Sequence, residues 1–310
     1  MSDLILHHYP ASPFSEKIRL VLGFKGLAWR SVFIPSVMPK PDVVALTGGY
    51  RKTPFLQVGA DVYCDTALIC EVLEHRQAHS PLYPEHQKGV ARVLAQWADT
   101  TLFWAAMAHN FQPQGAAAFF ANNPDAAKAF AADRGAMSAG MARVRPADGT
   151  SAYKSYLRRL SSMLEEHPFL LGDAPCVADF AAYHPLWFTR VCVPAVAGVL
   201  DATPTVLAWM DRMAAIGHGQ VGKATSAEAI ALAAATEPTA LDTTVFQDDH
   251  GIPLGSLVTV AADSFGTEAT EGELVAATRT RYTLRRTDAR AGVVHVHFPR
   301  IGYALKKVAA

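Results

Sequence analysis

The tetrapeptide Ser-Pro-Phe-Ser at residues 12–15 constrains the fold of this sequence more than any other part of it. It follows an apolar run, residues 4–9, and leads into residues 16–22, whose apolar side chains recur at helical spacing. Proline suits the first helical position because its missing N–H would have no partner there, so Ser12 is the expected N-cap. The pattern predicts a strand that turns directly into a helix, with a hydroxyl at the helix N-terminus.

The first 76 residues alternate strand and helix signals. Strands are expected at Leu4–Tyr9, Trp29–Ile34, Thr53–Val58 and Val62–Cys64, and helices at Pro13–Lys25 and from Asp65 through Arg76. A β-α-β unit followed by a β-β-α unit is typical of the thioredoxin-like fold. That fold often carries a Cys-x-x-Cys pair at its first strand-to-helix turn, and here Ser12 and Ser15 stand at both sulfur positions. We therefore expect a site that binds and activates another molecule's thiol and does not cycle a disulfide.

The middle of the chain, from residue 87 to about 218, has helical signals. Helices are expected at Gly89–Asn110, Ala152–His167, Pro175–Cys192 and Pro204–Ala215. The third of these is apolar almost all round, which predicts a buried central helix, and Pro185 predicts a kink or an early end in it. The sequence does not define the ends of the elements within residues 112–134.

The last part of the chain is rich in Thr, Val, Gly and charged residues. After a helix at Ala227–Ala235, short alternating runs follow at Leu257–Val260, Leu274–Ala277, Arg281–Arg285 and Val293–Phe298. They predict a small antiparallel β module, a barrel or a sandwich. The chain is thus expected to comprise an α/β thioredoxin-like domain (1–78), an all-α helical domain (85–222) and a C-terminal β module (240–310).

The composition narrows the class of protein. The formal net charge is zero and no uncharged apolar run reaches 18 residues, which argues against nucleic-acid and membrane partners. The N-terminus has no signal-peptide pattern, so we expect a cytoplasmic protein. The four cysteines show no metal-ligand spacing and are expected to be free thiols: Cys64, Cys70, Cys176 and Cys192.

Three short motifs in the first domain suit a thiol peptide. A thiolate beside Ser12 would meet a hydroxyl donor and the positive end of a helix, which together lower a thiol pKa from about 8.5 towards neutrality. A cis bond at Thr53-Pro54 would turn the Thr53 backbone towards that helix end, although cis is the minority expectation for any X-Pro bond. Asp65 suits an ammonium group, and Thr66 at a helix start suits a carboxylate. Helix capping alone is the simpler explanation of Ser12 and Asp65.

The order and spacing of these motifs resemble those of the cytosolic glutathione transferase superfamily. Ser-Pro-Phe precedes a Lys-Ile-Arg-Leu helix, and Lys-Thr-Pro-Phe-Leu, Asp-Thr-Ala-Leu-Ile and an all-helical domain follow. The resemblance covers residues 1 to about 220. It implies a serine-type enzyme with glutathione as co-substrate, no permanently bound cofactor, and a homodimer.

The resemblance also implies roles for single residues. Ser12 matches the residue that hydrogen-bonds the glutathione sulfur, and Phe14, in the same motif, is assigned to substrate binding. Lys52 and Thr53 match the segment before the family's cis proline, here Pro54, where the backbone holds the cysteinyl unit.

Two further matches depart from the family pattern. Asp65 and Thr66 match the Glu/Asp-Ser pair that holds the γ-glutamyl end, with Thr in place of Ser. Residues 172–179 resemble the family's capping box, but Cys176 stands at the cap position, normally Ser or Thr. We expect Asp179 still to accept a bond from the backbone at Cys176. The C-terminal β module lies outside the ordinary family.

The resemblance implies that the bound thiolate attacks an electrophilic carbon of a small, apolar second substrate. Aromatic and apolar residues on the first long helix are candidates for its pocket: Phe103, Trp104, Met107 and Phe111. Core packing is the simpler explanation for at least half of them, and His109 on the same helix is more simply a satisfied side chain than a base.

The C-terminal module offers one weak metal hypothesis. His295 and His297 share one face of a predicted strand, and His250 is a conceivable third ligand. Simple alternation of polar and apolar residues explains the pair better. Acidic residues offset the arginines of this module, which makes a nucleic-acid interface a weak hypothesis.

Three functions stay open from the sequence. The first is a serine-type glutathione transferase. The second is a glutathione-dependent isomerase or dehalogenase on the same scaffold. The third is a non-catalytic interaction protein that uses the fold without its chemistry.

Overall fold

One β-sheet joins the N-terminal and C-terminal parts of the chain. The structure, a computed structural model, describes residues 3–241, 246 and 249–308, and within them the sheet has ten strands. The strands are β1 (Leu4–His8), β2 (Ala28–Phe33), β3 (Phe55–Val58), β4 (Asp61–Cys64), β5 (Gln220–Lys223), β6 (Leu257–Ala262), β7 (Thr270–Ala277), β8 (Arg281–Asp288), β9 (Gly292–Pro299) and β10 (Tyr303–Lys307). Their spatial order is β10-β6-β7-β8-β9-β4-β3-β1-β2-β5.

The expected order of the first domain is confirmed, with one additional helix. β1 and β2 are parallel, while β3 is antiparallel to β1 and to β4. The helices of this region are α1 (Pro13–Phe24), α2 (Pro41–Thr47) and α3 (Thr66–Arg76). The sequence analysis missed α2, although Pro41 at its start and Gly48 at its end, with a φ of 79°, are ordinary helix signals.

The middle of the chain is helical, as predicted. Its helices are α4 (Lys88–Trp97), α5 (Phe103–Asn110), α6 (Pro113–Phe119), α7 (Pro124–Met137), α8 (Pro146–Met163), α9 (Val177–Trp187) and α10 (Pro204–Ala215). A π-helical turn, Ala98–Leu102, joins α4 to α5, so the long helix expected at Gly89–Asn110 is continuous but irregular. Pro185 lies inside α9, which passes into a second π-helical turn at Phe188–Cys192.

Helix α9 is the buried central helix of this domain. Phe180, Tyr183 and His184 are each at most 3% exposed. The side chain of Asp179 accepts a hydrogen bond from the Cys176 N–H at 3.0 Å, as expected for the altered capping box. It also accepts from the Trp209 indole at 2.9 Å, which ties α9 to α10.

The predicted barrel or sandwich at the C-terminus is wrong. β6–β10 are antiparallel to one another, as expected, but they form an open extension of the N-terminal sheet, because β9 pairs in parallel with β4. Val294 and Val296 are fully buried and His297 is 1% exposed, so β9 is covered on both faces as an interior strand. Residues 242–245, 247, 248, 309 and 310 of the predicted module, and residues 1–2, lie outside the described residues.

The chain reaches both edges of the N-terminal sheet after leaving α10. β5 pairs in parallel with β2 at one edge, and α11 (Ser226–Ala234) then packs against α2 and β9 before β6 begins. Two hydrophobic cores result, one between the sheet and the helical domain and one beneath α2 and α11. Within the described residues, the helices are all too short or too polar to cross a membrane.

Candidate functional site

Ser12 lies at the N-cap of α1, as predicted. Its Oγ accepts the Ser15 N–H at 3.2 Å, and its own N–H donates to the Tyr9 carbonyl at 3.1 Å. The residue is 2% exposed. Within the described part of the chain, the buried Oγ of Ser15 has no hydrogen-bond partner.

Thr53 and Pro54 lie beside the same end of β1. Phe55 pairs with His7 on β1, so the preceding residues extend towards the turn that leads to Ser12. The peptide bond between Thr53 and Pro54 is cis. The Thr53 Oγ1 is buried and has no partner among the described residues. The structure therefore brings an unsatisfied hydroxyl, that of Thr53, to a segment predicted to hold a thiol peptide.

Asp65 caps α3 from a left-handed backbone conformation, with a φ of 76°. Its Oδ1 accepts the Ala67 N–H at 2.9 Å, and its Oδ2 accepts the Tyr303 hydroxyl at 3.0 Å. Its own N–H donates to the Tyr50 hydroxyl at 3.0 Å, and the Lys52 Nζ lies 3.9 Å from Oδ2. Non-glycine residues in this conformation cost about 1–3 kcal/mol and persist where neighbours hold them, often at functional sites.

Thr66 belongs to a buried ionic network that the sequence analysis missed. The Lys17 ammonium donates to the Thr66 Oγ1 at 3.1 Å and to Asp99 at 2.5 Å, and the second Asp99 oxygen lies 3.0 Å from the His184 Nε2. Burial acts to lower the pKa of Lys17, but neighbouring groups, Asp99 foremost, together raise that pKa. Burial acts to raise the pKa of Asp99, but Lys17 and His184 lower it overall. Burial lowers the pKa of His184, so its ring is neutral at neutral pH.

The predicted electrophile-binding residues separate into two groups. Phe14 packs against Phe103, with ring centroids 4.8 Å apart, and against His184 at 4.4 Å. Trp104 is partly buried and makes an edge contact with Phe265, a residue from the C-terminal extension, at 5.2 Å.

The remaining candidates pack in the helical interior. Phe111 belongs to an aromatic cluster with Phe119, Phe130 and Phe188, and Met107 is 8% exposed in the helical core. Both ring nitrogens of His109 have hydrogen-bond partners, the Thr150 hydroxyl and the Val196 carbonyl, as expected for a satisfied side chain.

The sequence analysis also missed a group of cationic side chains near Thr53, here called the cationic rim: Lys40, Arg51 and Arg134. The Lys40 ammonium donates to the Arg51 carbonyl at 3.3 Å, and burial, with Arg134 nearby, lowers the pKa of Lys40 to about 8. The Arg134 guanidinium donates to the Tyr9 hydroxyl at 3.1 Å. Arg51 pairs with Asp133 at 3.1 Å. These contacts join α7 to the N-terminal domain, and both arginines pair with Asp133.

The predicted histidine pair in β9 meets a carboxylate from β4. The His297 Nε2 lies 2.9 Å from Asp61 and its Nδ1 2.9 Å from the Thr283 hydroxyl, while the His295 Nδ1 is 3.8 Å from Asp61. Both ring nitrogens of His297 thus have hydrogen-bond partners within the protein. Nowhere in residues 3–241, 246 and 249–308 do three or more potential ligands form a group that could hold a metal ion. His250 packs its ring against Tyr282 at 5.9 Å.

Two cavities lie away from Ser12. One of about 420 Å³ lies over the C-terminal strands beside Glu273, Arg285 and His295. The other, of about 500 Å³, lies in the helical domain beside His109 and Lys154. Neither is lined by the residues that the sequence analysis assigned to substrate binding.

Comparison with known proteins places the chain in a family. It matches the glutathione S-transferase N-terminal domain over residues 6–81 and the C-terminal domain over residues 125–212. The solved structure of a GST-like protein from Pseudomonas syringae is 44% identical, with a TM-score of 0.82, and the match covers 99% of this chain and 100% of that one. The chain belongs to the cytosolic glutathione S-transferase superfamily.

Two curated relatives are more distant. Pyrimidodiazepine synthase of Drosophila melanogaster is 32% identical over 76 residues, 23% of this chain, and the match spans 31% of that protein's length. FtsZ-localized protein A of Caulobacter vibrioides (strain NA1000 / CB15N) is 25% identical over 190 residues, 57% of this chain and 73% of that protein.

Proposed function

We propose that the protein is a glutathione transferase in which Ser12 donates a hydrogen bond to the glutathione sulfur and keeps it as thiolate. The observation that carries this proposal is the state of the Ser12 hydroxyl. Its oxygen accepts the Ser15 N–H, and no described residue accepts its proton. A thiolate at this point would accept a hydrogen bond from the Ser12 hydroxyl. It would also lie at the positive, N-terminal end of α1.

The rest of the tripeptide has matching partners. The Thr53 backbone, next to the cis bond at Pro54, suits the cysteinyl unit. Asp65 suits the ammonium group. The Thr66 hydroxyl accepts from Lys17, so its own proton stays available for the γ-glutamyl carboxylate. The rim cation Lys40 suits the glycyl carboxylate. Phe14 and Trp104 suit an apolar second substrate, while Met107 and Phe111 pack mainly in the core.

The reaction needs no redox partner. The thiolate sulfur attacks an electrophilic carbon and a C–S bond forms. The bond to a leaving group breaks with its electron pair, or, in an addition, the pair moves onto an activated double bond. The protein contributes a deprotonated nucleophile and proximity to the electrophile.

Replacement of the hydroxyl tests this role. We expect Ser12→Ala to raise the pKa of the bound thiol and to lower kcat/KM for conjugation at neutral pH by roughly 10- to 100-fold, about tenfold for each pKa unit. Ser15→Ala, a matched control in the same helical turn, is expected to stay within about threefold. Equal activity of Ser12→Ala and the native chain, with unchanged melting temperature, would contradict the assigned role.

A second candidate is a non-catalytic interaction protein with this fold. Two observations favour it: Ser12 is only 2% exposed, and one relative is named for its localisation to FtsZ and not for a reaction. Calorimetry with glutathione separates the two, since absence of binding to the folded chain supports this candidate. If glutathione does bind, maleyl-type and haloalkane substrates test for an isomerase or dehalogenase on the same scaffold.

We also propose a cytoplasmic homodimer, as the family resemblance implies. Light scattering on the purified chain of residues 1–310 gives its molar mass directly. A mass twice that of the 33.3 kDa chain supports the dimer, and a mass of one chain contradicts it.

A further inference from the structure

We propose that Tyr303, in the C-terminal extension, is a positioning residue for the thiol substrate: it orients the Asp65 carboxylate towards the substrate's ammonium group. This inference rests on the proposed binding of glutathione. It gives a role at the substrate site to the C-terminal strands, which lie outside the two matched family domains.

The contact spans 238 positions of the sequence. Tyr303 is the first residue of β10, which forms the outer edge of the sheet and pairs with β6. Its hydroxyl nevertheless donates to the Asp65 Oδ2 at 3.0 Å. The tyrosine is 7% exposed, and its ring packs against Phe298 with centroids 5.6 Å apart. The hydroxyl is therefore held in place by a packed ring.

The phenol remains a donor across the ordinary pH range. Burial, together with the nearby negative charge of Asp65, raises the pKa of Tyr303 well above its usual value. Asp65 has its two oxygens engaged separately, one by the Ala67 N–H at 2.9 Å and one by Tyr303. Two donors on different oxygens fix the plane of a carboxylate, while each oxygen keeps a lone pair for another donor. An ammonium group can therefore bind to an oriented carboxylate.

Tyr303 also controls the position of a neighbouring cation. The Lys52 ammonium lies 4.6 Å from the centroid of the Tyr303 ring and 5.7 Å from that of Tyr50. Cation–π attraction holds it there, 3.9 Å from the Asp65 carboxylate and short of a direct hydrogen bond. Burial lowers the pKa of Lys52, although Asp65 opposes this shift. Lys52 thus lies at ion-pair distance from Asp65 without donating a hydrogen bond to the carboxylate that the substrate needs.

Calorimetry with two ligands distinguishes this role from simple packing. The ligands are glutathione and its desamino analogue, which has a glutaryl group in place of the γ-glutamyl group and so lacks the ammonium. We expect Tyr303→Phe to weaken glutathione binding about tenfold, the size of one hydrogen bond to a charged group, and to leave the analogue within about twofold. Asp65→Asn is expected to show the same ligand dependence, and the double variant to bind glutathione no more weakly than Asp65→Asn alone.

Tyr153→Phe is the matched control, since it removes a buried tyrosine hydroxyl that is bonded to Thr189 in the helical domain. It should leave both affinities unchanged. Unchanged glutathione affinity in Tyr303→Phe, or an equal loss for both ligands, overturns the positioning role while the proposed function stands. Absence of glutathione binding to the native chain overturns the function and this inference together.

Discussion

At the scale of single residues, Lys17 carries a charge into the interface between the N-terminal and helical domains. Its side chain is 1% exposed, and its two acceptors, Asp99 and Thr66, come from different parts of the chain. Loss of one partner of a buried ion pair costs about 3–5 kcal/mol, because the other charge stays buried and unpaired. The network therefore fixes the Thr66 hydroxyl and joins the two domains at the same place.

Two buried histidines at the end of β1 set a pH dependence of stability. Burial lowers the pKa of His7 to about 4 and that of His8 to about 3. Both values lie below the unfolded value near 6.5, so the unfolded chain binds more protons as the pH falls from 6.5. We expect the free energy of unfolding to fall as the pH is lowered through this range. At pH 5, unfolding of His7→Leu should take up about one proton fewer than unfolding of the native chain. Urea unfolding at several pH values measures this slope, and an unchanged slope in His7→Leu would be inconsistent with the buried neutral ring.

At the scale of elements, the loop between β6 and β7 joins the C-terminal strands to both the helical and the N-terminal domain. Phe265 contacts Trp104, the Gly266 N–H donates to the Met137 carbonyl at 2.8 Å, and Glu268 pairs with Arg51 at 2.9 Å. The φ of Gly266 is 67°, a backbone conformation that favours glycine, and an added Cβ would lie 2.9 Å from the Met137 Cε. The loop contacts both the rim of the thiol site and the helix that bears the candidate electrophile pocket.

Truncation of this loop's aromatic residue tests its part in electrophile selection. Phe265→Ala removes a ring beside Trp104, and a contact of that ring with an aromatic electrophile would be worth about 0.5–1.5 kcal/mol, so we expect kcat/KM for such an electrophile to fall roughly 2- to 10-fold. The dissociation constant for glutathione should not change. Phe120→Ala, which removes a ring from the aromatic cluster of α6 and α7, is the control and should leave both quantities near native. A loss of glutathione affinity in Phe265→Ala would show that the loop acts through the thiol site instead.

Local signals predicted most elements but not their assembly. Ser12 and Asp65 could be predicted as helix caps because each accepts a hydrogen bond from a residue at most three positions away. The donors are Ser15 and Ala67, respectively. Lys17 and Asp99 are 82 positions apart and carry no such signal. The edge strands β5 and β10 were missed because they are short and partly polar.

At the scale of the whole molecule, the C-terminal strands and the N-terminal domain form one sheet. Alternation in β9 correctly predicted a strand, but its partner could not be inferred, because the pairing of His295 with Asp61 joins positions far apart in sequence. β9 covers the edge of β4, which would otherwise present unpaired backbone groups. The division into three domains at 1–78, 85–222 and 240–310 stays a prediction, and the shared sheet gives it a direct test.

A buried charge in β9 provides that test. Val296 is fully buried next to β4, so Val296→Asp should destabilise the chain and, by hydrogen exchange, expose the amides of β3 and β4 as well as those of β8 and β9. Leu257→Asp, at a position 49% exposed in β6, is the control and should leave the exchange pattern near native. Exchange gained only within residues 257–307 would indicate that the C-terminal strands unfold as a separate unit.

Titration of the bound thiol measures directly whether Ser12 holds the glutathione sulfur as thiolate. Thiolate absorbance of glutathione bound to the native chain should titrate about one to two pKa units below the free thiol, while in Ser12→Ala it should return towards the ordinary value of about 8.5. Ser15→Ala should titrate like the native chain. A bound thiol with an ordinary pKa in the native chain, or one equally lowered in Ser12→Ala, would show that Ser12 does not hold the sulfur as thiolate.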